Sequence, residues 1–113
     1  MKTVDVYSQY FEAKARFNGV ERKGCLVALT GESDAGQITY TASVSFFPHA
    51  DEEDYAVSYD AFLSQVLYAG KGRRSKKKEA AYMETLRETL DGLAKAEKAK
   101  ILWDKPLREA RFG

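Results

Sequence analysis

The chain has 113 residues, a formal net charge of +1, and apolar and charged fractions of 44% and 31%. That is enough for one buried core and too little for two, so 1–113 reads as a single small domain. Cys25 is the only cysteine, which excludes an intramolecular disulfide and points to a reducing, cytoplasmic setting. No apolar run is long enough to span a bilayer, and the opening MKTVDVYSQY lacks the apolar centre of an export signal, so no membrane partner is expected.

The near-zero total conceals a segregation of charge. Residues 24–70 contain no Lys or Arg and seven acids, whereas 71–113 contain thirteen Lys and Arg against seven acids. Such a split predicts a bipolar surface, one pole suited to a polyanion or an acidic partner.

In chain order, the first clear element is 11–17, where Phe11, Ala13, Ala15 and Phe17 alternate with Glu12, Lys14 and Arg16. This is the pattern of a half-buried strand, which Val4 and Val6 can extend. Asn18-Gly19 follows, a two-residue hairpin signal, because both central positions of a type I′ turn need positive φ. A second strand is expected over 20–30, with Gly24 marking a bulge, and 31–36 (GESDAG) reads as a polar loop. Over 37–47, Ile38, Tyr40, Ala42, Val44 and Phe46 alternate with polar residues until Pro48, predicting a third strand. Phe47 stands out on the polar side of that strand.

Two helices are expected next. Tyr55, Tyr59, Phe62, Leu63, Val66 and Leu67 are spaced as a helical stripe, with acids at 51–54 suited to its positive end and Gly70 to its stop. After a basic loop, Ser75 can cap a helix reaching about Lys100. Its buried stripe is expected to be Ala80, Met83, Leu86, Leu90, Leu93 and Ala94. The remainder, 101–113, contains Trp103 and Pro106 and reads as an irregular tail. The expected fold class is therefore α+β, a three-stranded antiparallel β-meander followed by two helices packed on one face (β-β-β-α-α).

The segment 71–78 reads KGRRSKKK, six cations in eight residues. A helix N-terminus already carries unsatisfied N–H groups and the positive end of the macrodipole, so stability alone favours acids there. Cations at that position are suited instead to an anion, above all a run of phosphates. The segment 70–93 resembles the end of a double-stranded RNA-binding domain, where a Gly-rich turn leads into Ser-Lys-Lys at the start of the last helix. The resemblance implies phosphate contacts from Lys76, Lys77 and Lys78 and a helix start packed through Ala80 and Ala81.

Other chemistry is not indicated. His49 with the acids at 51–54 lacks the ladder of oxygens and central Gly of a calcium loop. No phosphate-binding Gly loop, nucleophile elbow or zinc spacing occurs, so neither an enzyme nor a cofactor is expected. The sequence points to a small nucleic-acid-binding, and in particular RNA-binding, protein that grips phosphates through Lys71, Arg73, Arg74, Lys76, Lys77 and Lys78. The alternative is a non-enzymatic interaction module that docks its segregated acidic and basic surfaces on an acidic protein partner or in a homodimer. Ile101, Leu102, Trp103 and Phe112 would then serve as apolar anchors.

Overall fold

The computed structural model describes residues 2–48 and 61–107. Four long strands run in sequence: β1 (Lys2–Phe17), β2 (Val20–Asp34), β3 (Gln37–Phe47) and β4 (Phe62–Lys71). Helix α1 (Lys76–Ala96) and a two-residue strand, β5 (Lys100–Ile101), complete the described part. All pairings are antiparallel and the order across the sheet is β4-β3-β2-β1-β5. The sheet curls into a half-barrel whose inner face is closed by α1, the single helix among the described residues.

The expected meander is present, and the expected pair of helices is not. The helix anticipated over 55–67 is contradicted from Phe62 onward, where β4 pairs with β3 from Phe62↔Ser45 to Lys71↔Gln37. Residues 51–60, including its acidic start, lie outside the described residues. The error has a physical source, because a short apolar run fits both periods. Leu63 and Leu67 pack against the core, whereas Phe62 and Val66 are exposed. The apolar residues thus divide between two faces, as a strand divides them and a helical stripe does not. Pairing also satisfies the backbone groups along one side of β3, which a helix at this position leaves open.

Two smaller expectations change as well. Residues 31–34 belong to β2, and the second hairpin turns on Ala35-Gly36, with φ of +51° and +79°. Asn18-Gly19 shows the same geometry, +49° and +77°. Gly31 is not a loop glycine, since a Cβ there would lie 3.1 Å from Cε1 of Tyr40. Its missing side chain admits the Tyr40 ring. Gly24 pairs regularly with Glu12 and Phe47, and the nearby slip in register falls on β1, between Glu12 and Ala15.

The inner face carries Phe11, Cys25, Val27, Leu29, Ile38, Tyr40, Ala42, Val44 and Phe46, all within 1% of complete burial. Helix α1 closes this face with Leu86, Leu90 and Ala94. It ends where Lys98 takes a left-handed φ of +59°. Lys98 and Ala99 return their N–H groups to the carbonyls of Lys95 (3.0 Å) and Ala94 (2.8 Å), a Schellman closure without the usual glycine. No described helix is long and apolar enough to cross a membrane.

Candidate nucleic-acid interface

The basic segment connects the last residue of β4 to the first turns of α1, and internal contacts hold its course. Gly72, at φ +138°, donates its N–H to the carbonyl of Gly36 at 2.9 Å, tying the connection to the tip of the β2–β3 hairpin. Ser75 is extended (φ −132°, ψ 117°) and caps α1, its Oγ accepting from the Lys78 N–H at 3.3 Å. Its carbonyl receives the Glu79 N–H at 3.0 Å and starts the helical ladder.

Beneath this turn lies a polar cluster that the sequence reading missed. Glu79 is only 1% exposed. Its Oε2 accepts from the Tyr40 hydroxyl at 2.6 Å and from Arg74 Nε at 3.2 Å, while Oε1 accepts from Arg74 Nη2 at 2.9 Å. The Tyr40 oxygen in turn accepts the Ser75 N–H at 2.9 Å. A buried carboxylate is costly unless paired and hydrogen-bonded, and here it is both. The Tyr40 hydroxyl is pushed up by burial and then by its bond to Glu79, so it stays a donor. The hydrogen bonds from Glu79 raise the Arg74 guanidinium further above its already high range.

The signal for Glu79 was in the sequence. Stepping back from Ala94 through Leu90 and Leu86 at intervals of four, four and seven lands on Glu79, not on Ala80. Ala80 is exposed, and Met83 and Leu93 are half-buried at the flanks of the stripe. A charged residue on the buried face of an amphipathic helix implies a buried partner. That partner is Arg74, which composition alone does not distinguish from the surface cations around it.

The six candidate cations therefore separate by role. Arg74 is one-quarter exposed and bound to Glu79. Lys71, Arg73, Lys76 and Lys77 are exposed, and none forms an ion pair with a described residue. Lys78 is exposed but lies over the Tyr68 ring, its Nζ 3.9 Å from the centroid, a cation–π contact that orients the side chain. Cys25 offers no rival chemistry, since burial pushes its thiol up to about 12. Among the described residues no cluster of three or more potential metal ligands occurs.

The anchors expected in the tail are placed differently. Ile101 is buried in β5, and Trp103 packs edge-on against Phe11 at 4.9 Å and donates to Asp91 at 2.8 Å. Phe112 lies outside the described residues. No family model matches the chain, and no curated protein or solved structure matches it.

Proposed function

We propose that the protein binds the phosphate backbone of nucleic acid through Lys71, Arg73, Lys76 and Lys77, with Lys78 at the margin of the contact. Arg74 acts as a positioning residue, because its charge is already spent on Glu79. The observation that supports this reading most is the pairing of exposed cations with a fixed scaffold. Four cations without ion pairs to described residues surround a helix start that is capped by Ser75 and locked from below by Glu79 and Tyr40. A cationic surface fixed before binding loses less conformational freedom on contact than a mobile loop does. Its affinity comes from counterion release, so it is dependent on salt and tolerant of sequence. The likeness of 70–93 to the last helix of double-stranded RNA-binding domains favours RNA among the possible polyanions. The reading is one of binding without catalysis.

The test is a fluorescence polarisation titration with RNA and DNA at two salt concentrations. Replacing Lys76, Lys77 and Lys78 together by Gln should weaken binding to all sequences alike. It should also lower the slope of log affinity against log salt by roughly 0.7–0.9 per lost contact. Stability should hold or rise slightly, since the cations oppose the helix dipole. A parent protein with no affinity for either nucleic acid, together with a variant that loses stability, would show that these lysines serve the fold or an acidic protein partner instead.

A further inference from the structure

Strand β4 is the outermost strand on its side of the sheet, and no described residue makes a backbone hydrogen bond to its free side. From Phe62 to Gly70 it reads FLSQVLYAG, with no charge and no proline. Proteins ordinarily blunt a long edge with lysines, proline or a bulge, because its unpaired N–H and C=O groups recruit other strands. Here such devices are confined to the far half of the strand: the extra residue at Leu67, where the register with β3 slips between Tyr40 and Thr41, and Lys71 at its end. Ahead of that slip, 62–66 is a regular, uncharged strand.

Its exposed side chains indicate what should cover it. Among the described residues three large apolar side chains are exposed, and two of them, Phe62 at 44% and Val66 at 57%, lie in this stretch. Both stand on the outer face of the sheet, opposite Ser45 and Thr41 of β3, with Ser64 between them opposite Ser43. We infer that β4 is a self-association edge, pairing antiparallel with β4 of a second copy about a twofold axis at Ser64. That register puts Phe62 of each copy against Val66 of the other, so each exposed apolar group covers its counterpart. An axis moved by one residue to either side loses this match: at 63 Phe62 faces Ser64, and at 65 it faces Tyr68 across the slip. Antiparallel partners must also share a face, which excludes axes between residues. A strand of the same chemistry is required as partner, and β1 does not supply it, since it carries Lys2, Asp5, Glu12, Lys14 and Arg16. The pairing closes on itself: both copies use the same edge about a twofold axis, so the product is a dimer and not a fibre.

Sedimentation velocity over a concentration series tests the assignment. The parent chain should show a reversible monomer–dimer equilibrium. Val66→Lys should raise its dissociation constant at least about tenfold by burying an unpaired ammonium, while Val20→Lys, at the exposed residue of the first hairpin, should leave it unchanged. Under mild oxidation Ser64→Cys should cross-link readily, because residues facing each other across an antiparallel axis have Cα atoms about 4.5–5.5 Å apart, within disulfide reach. Phe62→Cys alone should not, since its copies then lie four residues apart along the strand. A parent chain that stays monomeric throughout, or a dimer indifferent to Val66→Lys, overturns the inference. So does a monomeric parent whose melting temperature falls on Val66→Lys, which would mean that another part of the same chain covers the edge.

Discussion

Along β1, next to the two residues that pair with β5, the chain from Leu102 to Lys105 supplies partners for the outward backbone of Tyr10 and Glu12. The Leu102 N–H reaches the Glu12 carbonyl at 2.9 Å, and Asp104 accepts the Glu12 N–H at 2.9 Å. Lys105 donates to the Tyr10 carbonyl at 3.0 Å, and beside it the side-chain Nε2 of Gln9 donates to the Pro106 carbonyl at 3.1 Å. At the opposite side of the sheet, β4 has the same backbone requirement, and from Phe62 to Gly70 it has no described neighbour, proline or charge to meet it. The contrast shows that one sheet can be sealed on one edge by side chains and irregular backbone, which cannot propagate a ladder. The other edge is left as a template that can.

Three substitutions break or sharpen that contrast. The largest effect is expected from Leu90→Ala, because Leu90 is fully buried where α1 seats on the inner face. It should cost about 2–5 kcal/mol by denaturant unfolding. Hydrogen exchange should show the β1 edge losing protection with it, since β5 and the residues after it hang from the end of α1. At concentrations low enough to keep the chain monomeric, outward amides of β4 should exchange fast in both proteins. If both edges change together, the sealing does not depend on the helix.

Glu79→Gln acts at the β4 side, where the polar cluster fixes the connection from β4 into α1. It keeps the shape but removes the charge that Arg74 and Tyr40 share, and should destabilise by about 1–3 kcal/mol. Its salt-dependent binding should weaken less than that of the triple lysine variant, because Lys71, Arg73, Lys76 and Lys77 remain. The smallest effect belongs to Asp104→Ala, which removes one exposed acceptor from the sealed edge. About 0.5–1.5 kcal/mol is expected, with faster exchange localised to the Glu12 amide. Unchanged exchange there would mean that the edge is sealed by packing, for instance Trp103 on Phe11, and not by the hydrogen bond.

The legible parts of the sequence were those where one period has no competitor. Residues 11–17 and 37–47 alternate cleanly, Asn18-Gly19 is a turn with a single reading, and Ser75 caps as its chemistry suggests. The β4 segment failed because Phe62, Leu63, Val66 and Leu67 satisfy two periods, and only the unpaired side of β3 decides between them. Ala35-Gly36 was hidden because alanine seldom takes positive φ. Within the candidate site, the exposed lysines were visible as composition. The division between Arg74 and its neighbours was not, because it depends on a carboxylate whose burial is set by Tyr40, far away in the chain.

The sealing of β1 also has an order in time. Its partners, Leu102 to Pro106, are separated from it in sequence by nearly the whole chain, and contacts of such separation are entropically the most expensive to close. The hairpins joining β1, β2 and β3 need only two-residue turns and can zip as they emerge from the ribosome. Until residue 106 has been synthesised, however, the N-terminal strand has nothing to cover it. A nascent or truncated chain that lacks 102–106 therefore leaves this stretch of β1 open as well as the β4 edge, and is the more prone to misassembly.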